Sequence, residues 1–145
     1  MDGKLGTYQA IETHGKSQVE LIIKVYDGAI AAFRSAQTEY GQGQNSAGRE
    51  KLEQARKFVT HLYTTLDPEA GGEIADNLSR LYAYIVNQTN VVEATKDSKL
   101  VDDIITILDN LRLGWLGIKQ QQTGKTAQVE KSASKSQSEH FTITG

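Results

Sequence analysis

The stretch 66–85, LDPEAGGEIADNLSRLYAYI, restricts the fold of this chain more than any other part of it. Leu66 closes one apolar-periodic segment, and the Asp-Pro pair after it ends a helix, because a residue before proline is disfavoured in the α region. A Gly-Gly pair then allows the backbone to turn without a Cβ penalty. From Ile74 the apolar residues recur at helical spacing. The stretch therefore predicts a tight corner between two antiparallel helices.

Apolar residues recur at steps of three and four in four segments, which is the period of one helical face. Ser17 is expected to cap the first helix, with Glu20 completing a capping box, and Gly41 and Gly43 end it. The second helix begins near Ser46, the third fades after residue 93 and the fourth begins near residue 98. The expected core stripes are Val19, Ile22, Tyr26, Ala29, Phe33, Ala36 and Tyr40, then Leu52, Ala55, Val59, Leu62 and Leu66, then Ile74, Leu78, Leu81, Ile85 and Val92, and finally Val101, Ile104, Leu108, Leu111, Trp115 and Ile118.

Short connections between these segments predict that neighbouring helices run antiparallel. The expected fold is all-α, an up-down-up-down four-helix bundle over residues 17–121 that follows a flexible N-terminal segment at 1–16. Residues 122–145 are rich in Gln, Ser, Thr and Lys and nearly free of apolar residues. Such a composition cannot offset the entropy of ordering, so a disordered tail is expected there.

Composition excludes several classes of function. The chain has 145 residues and a net charge of −2, which does not indicate binding to nucleic acid or to an anionic membrane. It has no cysteine, and no apolar run approaches the roughly 20 residues that span a bilayer. The simplest expectation is a soluble cytoplasmic domain without a cofactor.

The three histidines do not form a recognisable metal or catalytic pattern. None of His14, His61 and His140 follows a glutamate three residues earlier, as di-metal helical bundles require. His61 on a helix leaves a phosphotransfer bundle as an alternative, although Thr64 and Thr65 stand where that class usually has lysine and glycine. No Ser/His/Asp arrangement is visible, so nothing indicates an enzyme.

Three of the helices carry more apolar residues than one core stripe needs. A folded monomer that leaves half of them exposed would have an apolar patch of more than a few hundred Å², which soluble monomers rarely tolerate without a partner. A wide core face is the alternative, because globular helices often bury positions beside the main stripe. Both interpretations stay open at this stage. The extra residues are Leu21, Ile23, Val25, Ile30, Tyr82, Tyr84, Val86, Leu100, Ile105, Ile107 and Leu116.

Several motifs resemble those of the flagellar secretion chaperones of the FliS type. The Leu-Asp, Gly-Gly-Glu-Ile-Ala, Asn-Leu and Leu-Tyr series within 66–85 matches that family, as does Tyr-Asp-Gly-Ala at 26–29. Arg112 and Trp115 match its basic residue and tryptophan near the end of the last helix, while Tyr8 and Thr13 are similar to N-terminal family positions. One departure is the His-Gly-Lys-Ser sequence at 14–17, where the family usually has a Ser-Pro entry to the first helix.

The resemblance implies an all-helical cytoplasmic chaperone that binds the disordered C-terminal segment of flagellin and prevents its premature polymerisation before export. It also implies contacts with an export-gate protein and, in some lineages, with an anti-sigma factor or a flagellin-binding regulator. A self-associating structural bundle and the phosphotransfer bundle are the other hypotheses.

The candidate partner-binding residues combine this resemblance with the apolar pattern. Asp27 is expected to face outward and accept a backbone donor of the client. Gly28 indicates close packing by a neighbouring helix or by the client, and Trp115 is interpreted as a core plug or a groove wall. The full candidate set is Tyr8, Ile11, Leu21, Ile22, Val25, Tyr26, Asp27, Gly28, Tyr82, Ile85 and Trp115.

Overall fold

Four helices make up the part of the chain that the computed structural model describes, residues 16–131. They are joined by short connections at 42–44, 65–67 and 96–97. The predicted all-α class is confirmed, and the predicted starts near 46 and 98 agree with the structure. The helices are α1 Lys16–Gly41, α2 Asn45–Thr64, α3 Pro68–Thr95 and α4 Ser98–Lys131. The side chain of Ser17, and with it the predicted capping box, lies outside the described residues.

Aspartates begin both helices of the second half. An oxygen of the Asp67 side chain accepts a hydrogen bond from the Glu69 backbone N–H at 3.2 Å, and Pro68 occupies the first helical position, where no N–H is needed. Asp97 accepts the Lys99 backbone N–H at 2.9 Å in the same way. Side-chain caps thus account for the sharp starts of α3 and α4.

The Gly-Gly pair predicted as a turn forms a kink inside α3. Gly72 has φ 57° and ψ −130°, a conformation that essentially only glycine adopts. The first turn of α3 therefore precedes the kink, and the long part of the helix follows it. Ile74, two residues beyond the kink, is 71% exposed, so its predicted place in the core stripe is wrong. Ala75 is buried instead, because it lies on the same inward face as the buried Tyr82 and Thr89, which follow it at intervals of seven residues.

Contacts between helices show that neighbours run antiparallel. Gln37, near the end of α1, donates to Asp102, near the start of α4, at 2.8 Å. Glu20, near the start of α1, lies 3.5 Å from the Lys119 ammonium on the later part of α4. Helix α2 packs on α1 and α3, and α4 closes the ring by packing on α1 and, less extensively, on α3. This arrangement is consistent with the predicted up-down-up-down order.

The interior of the ring contains most of the predicted stripes and some of the extra apolar residues. Tyr82 is 1% exposed, and Ile23 and Ile105 are also buried, so these three are not surplus surface residues. Each helix packs on at least two others, and its buried arc is therefore wider than a single seam. Leu21 at 49% and Tyr84 at 47% are exposed, as the interpretation of a partner-binding surface requires. The remaining extra residues are half-buried, namely Val25, Ile30, Val86, Leu100, Ile107 and Leu116.

Helix α4 continues to Lys131, past the predicted start of a disordered tail at residue 122. The disordered tail from residue 122 onward stays a prediction, and a polar composition argues against packing but not against helix. Gln, Lys and Glu have good helix propensity, and extending an existing helix avoids the cost of nucleation. Residues 132–145 lie outside the described part, so the tail prediction there is not tested.

Two glycines allow α1 and α2 to approach closely. A Cβ atom added at Gly28 would lie 2.6 Å from the Phe58 ring, and one at Gly48 would lie 2.6 Å from the Tyr40 ring. Both separations are far below van der Waals contact, so each ring occupies the space that a side chain would need. Packing by a neighbouring helix thus accounts for Gly28.

We expect Gly28→Ala to lower the free energy of unfolding by about 1 kcal/mol, since an overpacking cost of about 1–3 kcal/mol exceeds the gain in helix propensity of about 1 kcal/mol. Gly114→Ala is the matched control, because nothing lies within 4 Å of a Cβ at that helical position. It should raise the stability by up to about 1 kcal/mol. Urea unfolding of both variants measures the difference. Equal stabilisation by both alanines would contradict the tight contact.

Candidate functional site

An open groove of about 510 Å³ lies between α1 and α2. Residues lining it are Val25 from α1 and Gln54, Lys57, Phe58 and His61 from α2. Its volume is within the range of about 300–1,000 Å³ typical of ligand pockets, and its open side suits an elongated partner more than an enclosed small molecule.

The floor of the groove depends on Gly28 in α1, which has no side chain. Val25 and Gly28 lie about one turn apart, and the ring of Phe58 packs over the bare backbone of Gly28. Leu21, one turn before Val25 on the same face, is half-exposed and continues the apolar strip. The groove together with Leu21 is hereafter called the α1–α2 groove. The α1–α2 groove offers apolar surface for the side chains of a bound segment.

Basic and neutral polar groups form the rim. Lys57 and His61 are exposed one turn apart on α2, and Gln54 precedes them by one turn. The lining residues do not include a carboxylate, a hydroxyl nucleophile or a second imidazole. Their arrangement supports binding and offers no pair of groups for acid–base or nucleophilic catalysis.

Three of the candidate residues are buried at the centre of the bundle. The hydroxyl groups of Tyr26 and Tyr82 are hydrogen-bonded, and their rings lie 6.5 Å apart at a tilt of 50°. Tyr26, Tyr82 and Ile85 are almost fully inaccessible and belong to the core, because the inward face of each helix is wide. Their predicted place at a partner-binding surface stays a prediction.

Trp115 packs at the edge of the same cluster. Its indole Nε1 donates a hydrogen bond to the Tyr26 hydroxyl at 3.3 Å, and the ring is half-buried against the core. Most of the surface of the Trp115 side chain is therefore packed against the core, in keeping with its interpretation as a core plug. Part of the ring remains accessible at the side of α4.

Asp27 faces outward as expected, but its carboxylate has a partner. Nε of Arg112 donates to Asp27 Oδ1 at 2.5 Å, which joins α1 to α4. The sequence resemblance includes both residues without relating them, and the structure brings them together. The remaining candidates are Ile22, half-buried against the core, and Tyr8 and Ile11, which lie outside the described residues.

Exposed apolar side chains outside the groove were only partly predicted from the sequence. Tyr84 and Val91 are exposed on one face of α3, two turns apart, and Leu113 is exposed on α4. Sequence reasoning found Tyr84 but missed the other two, and it also missed Phe58 and Lys57 of the groove. The available signal for Phe58 was that an apolar residue lies next to a core stripe, since Phe58 directly precedes Val59.

Other kinds of site receive no support from the described part of the chain. Residues 16–131 contain no group of three or more His, Cys, Asp and Glu side chains that could hold a metal ion. No helix in that part has the length and apolarity needed to cross a membrane. Burial raises the pKa of the Tyr40 hydroxyl, and the carboxylate of Glu93 raises it further, but this residue lies at the other end of α1 from the groove.

The described residues thus form an all-helical bundle with an open apolar groove between α1 and α2. Comparison with known proteins gives its family: the family model for the flagellar protein FliS matches residues 1–122. The chain belongs to the FliS family. Its relatives include the flagellar secretion chaperone FliS of Vibrio cholerae, 28% identical over 88% of this chain and 96% of the relative. The protein of the same name from Salmonella typhimurium is 33% identical over 66% of this chain and 72% of its own.

A third relative, the flagellar secretion chaperone FliSB of Pseudomonas aeruginosa, is 39% identical over 42% of this chain and 48% of its own length. These named relatives are chaperones and not enzymes. The predicted family is therefore confirmed, and so is the prediction that the protein belongs to a non-enzymatic class.

We expect Tyr26→Phe to reduce the free energy of unfolding by about 1–3 kcal/mol, because it removes the hydroxyl that Tyr82 and Trp115 share. Tyr82→Phe alone should also be destabilising. The double variant should cost less than the sum of the two single variants, since both remove the same hydrogen bond. Chemical unfolding of the four proteins completes the cycle, and strict additivity would show that the two hydroxyls are not coupled.

Proposed function

We propose that this protein is a cytoplasmic chaperone that binds the C-terminal segment of flagellin, prevents its premature polymerisation and supports its export. Membership of the FliS family and the names of the relatives support this proposal. The single structural observation that carries it is the α1–α2 groove, an apolar surface that packing of the bundle leaves partly exposed.

A groove of this kind suits an unfolded client segment. Apolar side chains at i, i+3, i+4 and i+7 of an amphipathic helix would seat on Leu21, Val25 and Phe58. Covering the apolar side of such a client removes the surface through which it would assemble with other copies. The function then requires binding and release alone, in keeping with a site that lacks catalytic groups.

Exposed apolar side chains outside the groove extend the proposed path. Coupled folding of a disordered segment typically buries about 1,000–3,000 Å². Tyr84 and Val91 on α3 and Leu113 on α4 supply further exposed apolar side chains. A client that wraps around the bundle would contact them as well as the groove.

The remaining predicted contacts are part of the same proposal. Tyr8 and Ile11 would cover or border the binding surface from the N-terminal segment. Asp27 would keep its ion pair with Arg112 while its second oxygen accepts a client donor. An export-gate protein, and an anti-sigma factor or flagellin-binding regulator, would be secondary partners.

Calorimetric titration with a peptide of the flagellin C-terminal segment tests the proposal. Wild-type protein should bind with a large negative heat-capacity change and a gain of helix. Leu21→Asp should weaken binding about tenfold or more, because it places a charge on the apolar strip. Leu21 is half-exposed, so this change should hardly alter the thermal midpoint.

Ser46→Asp provides the matched control. It adds the same charge at an exposed position in the first turn of α2, about three turns away from Phe58. Its affinity for the flagellin peptide should stay close to the wild-type value. Wild-type protein that does not bind the peptide would overturn the function, and equal weakening by both aspartates would place the client elsewhere.

A further inference from the structure

Two lysines lie beside the apolar floor of the α1–α2 groove. Lys57 lines the groove from α2, next to Phe58. Lys24 is exposed on α1, one turn before Gly28 and on the same helical face. The two helices thus present a positive charge on either side of the strip.

Neither lysine forms an ion pair with a described side chain. Among the side chains that the structure describes, no carboxylate lies within ion-pair distance of Lys24 or Lys57. The neighbouring Arg56, by contrast, contacts Glu53 and lies 3.0 Å from the Glu93 carboxylate. Arg56 is therefore committed to joining α2 and α3, whereas both lysines can still pair with a carboxylate of a client.

We propose that the α1–α2 groove selects a client segment that carries Asp or Glu next to its apolar anchor. This inference rests on the proposed function, since it specifies the chemistry of the client at that site. The apolar floor favours any apolar side chain, but it cannot distinguish the register or the direction of a segment along the groove. Charged groups at the edges of the groove can distinguish them, because they attract client charges of the opposite sign and repel client charges of the same sign.

The geometry of a helical client agrees with this preference. A helical client whose apolar stripe packs on Val25 and Phe58 places the residues next to that stripe, about 100° to either side, near the edges of the groove. Gly28 has no side chain, so the client can approach α1 closely there. Carboxylates on the flanks of the client then come within reach of the long side chains of Lys24 and Lys57.

Two synthetic helical peptides with identical leucine anchors test the proposal, one with glutamates and the other with lysines at the flanking positions. The full-length protein should bind the glutamate peptide roughly fivefold to tenfold more tightly. This preference should shrink as salt is raised, since the charged groups are exposed. The Lys24→Glu/Lys57→Glu double variant should reverse the preference.

Lys99→Glu is the control, because Lys99 is a highly exposed lysine at the start of α4, away from the groove. It should leave the preference unchanged. Circular dichroism and thermal unfolding of all variants show that the fold is retained, as expected for exposed positions. Equal binding of the two peptides, or a preference that the double variant leaves intact, would overturn the inference.

The same variants separate this inference from the function on which it rests. Suppose that binding of the flagellin peptide is lost in Leu21→Asp but is unaffected by salt and by the Lys24→Glu/Lys57→Glu variant. This result would support the chaperone function and reject the charge selection. A flagellin peptide that fails to bind at all would reject the function, and the synthetic pair would still decide the charge preference. Concentration-dependent dimers that peptide cannot dissociate, seen by sedimentation, would assign the groove to a second copy and reject the inference.

Discussion

Two reciprocal contacts between glycine and an aromatic ring set the distance between α1 and α2, and the other interfaces depend on that distance. Gly28 of α1 faces the ring of Phe58, and Gly48 of α2 faces the ring of Tyr40, so each helix contributes one glycine and one ring. Since α4 packs on α1 and α3 packs on α2, any widening of this pair would shift both other helices. The same contact leaves the ring of Phe58 as the floor of the groove.

Helix positions were predictable because their signals are local. Period, proline and paired glycines indicate where a helix starts or stops, and Ser98 begins α4 as expected. The width of each buried face was less predictable, because it depends on how many neighbours a helix has. Tyr82 and Ile105 are buried between neighbours, whereas Leu21 at the same kind of flanking position is not. The period of α3 fits an inward face through Ile74 and Leu81 as well as one through Ala75 and Tyr82, and only the packing of the bundle selects the second.

The groove itself could be predicted only in part, since it exists between two helices. Val25 and Gly28 were candidates from the pattern and the resemblance, but their partner Phe58 carried no signal beyond lying next to a core stripe. The polar rim of the groove could not be predicted from the sequence for a related reason. An exposed lysine such as Lys57 is ordinary on a helix surface, and it gains meaning only when the acidic residues around it are known to be absent or paired elsewhere.

The three consecutive residues Tyr26, Asp27 and Gly28 explain how the groove is coupled to the fold. Successive helical positions differ by about 100°, so the three point in different directions. Tyr26 bonds to Tyr82 of α3, Asp27 pairs with Arg112 of α4, and Gly28 receives a ring from α2. One short motif therefore fixes α1 against all three other helices. A client bound beside it would rest on the most constrained part of the bundle, so that the surface is already formed before binding and the ordering cost falls on the client.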